Sequence, residues 1–164
     1  MSLTWEFESP RAHQCNNGGM LTIGTDLVHV PAFAAQLAVP GSRFGRVFTA
    51  AEQRRAAGHV DRDAHLAGRW AAKEAFIKAW SQALFAHPPV IAADEVDFAE
   101  IEAEIETVAD AWHRPAYRLH GAVAEALAAS LPDGWRAELS ISHDGDYTVA
   151  QCLLHARGSA TPAG

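Results

Sequence analysis

The sequence predicts an α+β fold, a small antiparallel sheet packed with one long helix. Three stretches predict it. Residues 20–30 (MLTIGTDLVHV) are rich in β-branched and apolar side chains and read as a buried strand. The residues from Asp61 or Asp63 to about Phe85 carry Leu66, Trp70, Ile77, Trp80 and Leu84 at helical spacing. Residues 135–142 (WRAELSIS) and 147–154 (YTVAQCLL) both alternate, and the tight link His143-Asp-Gly-Asp146 joins them as a hairpin. A mixed element order with an antiparallel end is α+β in class.

The other elements follow in chain order. Residues 1–19 lack the apolar run of a signal peptide, end in Asn-Asn-Gly-Gly and read as a disordered extension. The ordered domain then spans 20–156, and the Gly- and Ala-rich residues from 157 to 164 form a flexible tail. Pro31 opens a short helix through Leu37 that Pro40-Gly41 ends. Thr49-Ala-Ala-Glu52 is a capping box that starts a helix reaching about Ala57, with Gly58 as its stop. The long helix ends before His87-Pro88-Pro89, and two weaker apolar stretches follow, around Val96 and over 101–108. Residues 116–119 alternate like a strand, and 120–131 form an Ala-rich helix stopped by Pro132-Asp-Gly134.

Bulk composition narrows the function classes. With 164 residues, 49% of them apolar and 20% charged, the chain suits one domain with one ordinary core. No apolar run approaches the roughly 20 residues of a membrane span. A net charge of −7, with no basic stripe or aromatic platform, argues against nucleic acid and anionic lipid as partners. Cys15 and Cys152 are far apart and outside any CxxC, which fits a reducing cytoplasm.

Three features bear on chemistry. On a helical wheel, Glu74 and Lys78 share one flank of the long helix, Arg69 lies on the opposite flank, and Lys73 falls close to the apolar stripe. Read plainly, Glu74 and Lys78 are an i,i+4 ion pair contributing roughly 0.2–0.5 kcal/mol, and Lys73 snorkels past the core edge. Asp26 is a carboxylate in an otherwise apolar strand, where it is costly unless it meets a cation or a donor. It serves either as a cap or turn residue or, with Glu74, as a ligand of a hard ion such as Mg²⁺, which takes one or two carboxylates plus phosphate and water. His143 ends a strand beside a Gly turn, either as an ordinary turn histidine or as a phosphate donor.

Together these blocks resemble a family. Ile23-Gly-Thr-Asp-Leu-Val28, Phe48-Thr49 with Glu52, Arg69-Trp-Ala-Ala-Lys-Glu-Ala with Lys78-Ala79, and Ser140-Ile-Ser-His143-Asp-Gly-Asp look like the signature blocks of acyl carrier protein synthases, in order and spacing. The resemblance implies the 4′-phosphopantetheinyl transferase fold in its single-repeat form, since larger members fuse two repeats. It implies transfer of 4′-phosphopantetheine from coenzyme A to a serine of an acyl carrier protein or of a carrier domain of a fatty acid synthase. By the same resemblance Asp26 and Glu74 ligate Mg²⁺, Lys78 contacts the pyrophosphate, and Arg69 and His143 hold other phosphate or nucleotide groups. Ser142 stands beside His143. Glu74, directly or through a water, takes the serine proton. A homotrimer with sites between subunits is implied, with Lys73 and exposed aromatic residues available to an interface.

The sequence also departs from the family. His29 stands where a glutamate is frequent. His113, in Trp112-His-Arg-Pro115, stands where a glycine is usual, and it strains or reshapes that hairpin. Residues 31–39 carry no charge, where the family's first helix is often basic and docks the acidic carrier. Arg43 and Arg46 just beyond either replace that charge or are solvated loop residues. An apolar docking surface suits a carrier domain inside a large synthase, where local concentration is high. Two other readings are a non-catalytic coenzyme A or metal-binding oligomer and a transition-metal site at His59, Asp61, Asp63 and His65.

Overall fold

The computed structural model describes residues 19–87 and 98–156. The expectations for the N-terminal extension, the stretch around Val96 and the tail concern residues outside these. Strand β1 (Met20–His29) leads into α1 (Val30–Leu37), a 3-10 turn (Phe44–Val47), α2 (Ala50–Ala57) and the long α3 (Arg62–Ala83). There follow α4 (Phe98–Glu104), β2 (Ile105–Ala109), β3 (Pro115–Leu119), α5 (Gly121–Ser130), β4 (Arg136–Asp144) and β5 (Tyr147–Ala156). The α+β class is as expected.

Two antiparallel sheets form. One has the strand order β1-β5-β4, and β2 and β3 make the other. The β4–β5 hairpin closes on Asp144 opposite Tyr147, with Gly145 in the left-handed region at φ 52°. Asp26 stands opposite Ala150 across β1 and β5, and His143 opposite Thr148 across β4 and β5.

Helix α3 covers one face of the three-stranded sheet. Its buried side differs from the expected stripe. Leu66 and Trp80 are buried, but Trp70, Ile77 and Leu84 are half-buried, and the closest packing falls on Ala67, Gly68, Ala71, Ala72, Ala75, Phe76 and Ala79. Small residues win there because the sheet comes very close. Gly24 lies so near the Ala75 carbonyl that an added methyl would overlap it, and Thr22 Oγ1 donates to Ala79 O at 2.8 Å. On the other side of α3, Ile105, Val123 and Leu127 complete the main core, and Tyr117 donates to Ala72 O at 2.8 Å. A second cluster of Phe33, Val47, Phe48, Ala56, Leu66 and Ala67 seats α1 and α2 against the start of α3.

The capping box forms as expected: Glu52 N donates to Thr49 Oγ1 at 3.1 Å and Thr49 N to the Glu52 carboxylate at 2.8 Å. Asp61, not Asp63, caps α3 by accepting from Ala64 N at 2.8 Å. The β2–β3 turn carries the strain anticipated at His113, whose φ is 63°. Asp110 holds that turn through Trp112 N and Arg114 N, both at 2.9 Å, and through the Arg114 guanidinium at 2.6 Å. Those bonds hold its carboxyl below the usual carboxylate range.

Candidate active site

The close packing of β1 on α3 brings the first group of residues together. Thr22 meets Ala79, Gly24 meets Ala75, and Asp26, two residues further on the same strand face, reaches the part of α3 that carries Glu74 and Lys78. Lys78 Nζ donates to Asp26 Oδ1 at 2.7 Å and to Thr25 O at 3.3 Å. The plain i,i+4 expectation is thereby corrected: Lys78 turns across to β1, because Asp26 offers it a half-buried carboxylate within reach.

Glu102, fully buried on α4, has no hydrogen-bond partner for either carboxyl oxygen among the described residues, and burial, then the neighbouring Glu74, push its carboxyl up to about 9. Burial therefore favours the protonated form of Glu102 at neutral pH.

Lys73 neither snorkels nor serves a surface. It is fully buried, and Nζ donates to the Glu52 carboxylate at 3.0 Å, Glu102 O at 2.9 Å and Ile105 O at 2.7 Å. Burial lowers its pKa, and Glu52 opposes that shift. Glu52 also accepts from Thr107 N at 2.9 Å, so one carboxylate caps α2, pairs with α3 and anchors β2. The wheel marked Lys73 as misplaced, and the capping box marked Glu52. Nothing in sequence spacing joined them.

The second group lies two turns earlier on α3. The His143 ring packs on Gly68, where a side chain would stand 3.1 Å from its Cε1. Gly68 precedes Arg69, and the two lie about 9 and about 7.5 Å along the helix from Glu74. His65 and His59 stack at 3.7 Å. Burial, then Arg69, His59, His143 and Arg55, hold His65 down to about 4. Burial also lowers the Arg69 pKa, against the pull of Glu52, and Arg69 remains a cation. Ser142 does not join His143. It alternates to the outer sheet face, opposite Val149.

The residues proposed for a transition metal have separate engagements. Asp61 caps α3, Asp63 pairs with Arg62 at 3.1 Å, and the two histidines stack on each other. Among the described residues no three His, Cys, Asp or Glu side chains gather for a metal ion. That removes the basis of the four-residue site. Asp26 and Glu74 are only two, the number of carboxylates Mg²⁺ takes when phosphates and water complete its shell.

Comparison with known proteins decides the family. The model of the 4′-phosphopantetheinyl transferase superfamily matches residues 22–152. The chain belongs to this superfamily. The holo-[acyl-carrier-protein] synthase of Corynebacterium glutamicum is 54% identical over 137 residues, 82% of this chain and 98% of that protein. That of Mycobacterium tuberculosis is 44% identical over 139 residues, 84% and 98% of the two chains. A solved Chronobacterium ammoniagenes ACPS–CoA complex superimposes with a TM-score of 0.74 at 55% identity, covering 84% of this chain and 98% of that one.

Within this fold Asp26 pairs with Lys78, and Glu74 lies one helical turn before Lys78 on α3. His29 faces outward against Tyr147, ring centroids 5.1 Å apart, so no carboxylate stands at that position. An open depression of about 430 Å³ lies beyond α1, lined by Gln36, Val39, Pro40, Gly41, Ser42 and Phe44, none of them in either group.

Proposed function

We propose that this chain transfers 4′-phosphopantetheine from coenzyme A to a serine hydroxyl of an acyl carrier protein or a carrier domain of a fatty acid synthase. The leaving group is adenosine 3′,5′-bisphosphate. The observation that carries this reading is the meeting of Asp26 with the Glu74–Lys78 segment of α3 across the Gly24 contact. In the reaction the serine Oγ forms a bond to the phosphorus bearing the pantetheine arm. The bridging P–O bond breaks, its electrons leave with the nucleotide, and the serine proton passes to Glu74.

Asp26 and Glu74 are the residues that would hold Mg²⁺, and bound there it supplies charge neutralisation on the pyrophosphate. Lys78 adds a positive charge beside Asp26, and Arg69 and His143 offer donors to phosphate groups two turns away. Fatty acid biosynthesis in the cytoplasm suits such a reaction. Among the described residues no helix is long and apolar enough to cross a membrane.

A homotrimer is part of the same reading. The sheet face away from α3 exposes Leu21, Ile23, Leu27, Tyr147 and Leu153, with Leu27 64% exposed. Ser142 lies on that face. It can bind coenzyme A only at a site formed with a neighbouring copy.

Intact-mass analysis of apo carrier proteins, after incubation with coenzyme A and Mg²⁺, tests the reaction. A gain of one phosphopantetheine group is expected, and coenzyme A binding without that gain sinks the enzymatic reading. Glu74→Gln should lower turnover by about 10²–10⁴-fold. Near-normal turnover at saturating Mg²⁺ would remove Glu74 from the role of base.

A further inference from the structure

A chain of net charge −7 nevertheless gathers basic side chains where α2, α3 and β4 meet. The two helices run as an antiparallel pair. Glu52 meets Lys73 at 3.0 Å at one end, and the rings of His59 and His65 stack at 3.7 Å at the other. Arg55 lies one turn beyond Glu52 on α2, and Arg69 lies one turn before Lys73 on α3. The two arginines therefore face each other between those contacts, and the His143 ring packs on Gly68 beside them. Burial lowers the Arg69 pKa, Glu52 opposes that shift, and Arg55 lowers it further.

The neighbouring carboxylates do not balance this charge. Glu52 is buried and already holds Lys73, Thr49 N and Thr107 N. Glu106 is shared among His120 at 2.9 Å, Arg118 at 3.6 Å and Arg55 at 3.8 Å. Asp61 caps α3, and Asp63 pairs with Arg62. Among the described residues Arg69 forms no ion pair. Two guanidinium groups held near each other repel, and an anion between them turns that repulsion into attraction. The Arg55 side chain is 43% exposed and held only by the distant Glu106 and by Thr107 O at 3.4 Å, so its planar fork can turn to such a ligand.

Charge identifies the anion. A phosphate monoester carries about two charges on three terminal oxygens, enough for two arginines and a histidine. The phosphates of a pyrophosphate diester carry one charge each, and the Asp26, Glu74 and Lys78 group answers those. Coenzyme A has a single monoester, the 3′-phosphate of its ribose.

We propose that Arg55 is a specificity-determining residue for coenzyme A, closing with Arg69 and His143 on the ribose 3′-phosphate. The proposal rests on Arg69 and His143 holding a phosphate group of coenzyme A, and it adds a third donor, from α2.

Titration calorimetry of the full chain, with Mg²⁺ and no carrier, tests it by comparing coenzyme A with 3′-dephospho-coenzyme A, which keeps the pyrophosphate and the pantetheine arm. The wild type should prefer coenzyme A. Arg55→Gln should weaken coenzyme A binding by about tenfold or more and leave 3′-dephospho-coenzyme A unchanged. A merely structural role would weaken both alike. Arg54→Gln, at an exposed position on the same helix, should change neither. Thermal melts establish that each variant is folded. If Arg55→Gln fails to fold, Arg55→Lys replaces it, keeping the charge without the fork, and a severalfold loss confined to coenzyme A is expected. A folded variant that keeps the wild-type preference, or that loses affinity for both ligands alike, overturns the proposal. Equal binding of the two ligands by the wild type also overturns it, while carrier modification, read by intact mass, stands or falls separately. If the wild type binds neither ligand, the coenzyme A reading has failed and Arg55 falls with it.

Discussion

At the scale of single residues, the buried Lys73–Glu52 pair carries the largest stability consequence. Lys73→Met leaves Glu52 buried without its cation and should destabilise the chain by roughly 3–5 kcal/mol, read from urea unfolding. Lys73→Met with Glu52→Gln should recover part of that loss, because neither charge then remains. His65 sets a pH dependence. Its folded pKa of about 4 lies below the ordinary value of 6.5, so between the two the unfolded chain binds more protons. Its contribution is complete above about pH 6.5 and is lost as the pH falls towards 4. The melting temperature should drop across that window, and less so in His65→Phe. The residues of the site were legible in sequence only in part. Asp26, Glu74, Lys78, Arg69 and His143 stood out as charged or polar groups in motif blocks, whereas Glu102 lay in a stretch of alternating acids with nothing to mark it. Its carbonyl accepts from Lys73, a contact between α4 and α3 that spacing along one element cannot reveal.

At the scale of elements, local chemistry was the most readable. Thr49→Ala removes one half of the capping box and should cost about 1 kcal/mol. His113 is a side-chain-bearing residue held at φ 63°. Such a residue stores about 1–2 kcal/mol of strain. His113→Gly should therefore raise the unfolding free energy by about 0.5–1 kcal/mol in urea titration, after allowance for the greater entropy glycine loses. The hairpin of β4 and β5 and the boundaries of α2 were legible because turn and cap residues act within a few positions. The buried face of α3 was not. Large apolar residues suggested one stripe, but the helix is covered on two sides, and its closest neighbour selects alanine and glycine instead. That selection depends on how near another strand comes, a property of the fold as a whole.

At the scale of the molecule, the exposed apolar face of the β1-β5-β4 sheet should govern assembly. Leu27→Arg places a charge on that face and should shift the sedimentation coefficient from that of a trimer to that of a monomer. If the wild-type chain sediments as a monomer at micromolar concentration, the trimer is wrong. The loss of assembly should also lower transfer activity if Ser142 serves a neighbour's site, while leaving the Asp26–Lys78 pair intact. Sequence composition alone gave no view of this face. Each strand looked buried, because both sides of β1 carry apolar residues and only the position of α3 tells which side is covered.

The backbone contact at Gly24 has a consequence for how this sequence can vary. The gauge between the two halves of the site is the thickness of a bare peptide, and every other amino acid is wider. A saturation library at position 24, selected for carrier modification in a host lacking its own transferase, should return glycine and nothing else. The neighbouring outward position, Ile23, which is 50% exposed, should accept several apolar residues. Two adjacent codons would then show opposite tolerance, one set by a distance between main chains and the other only by a surface.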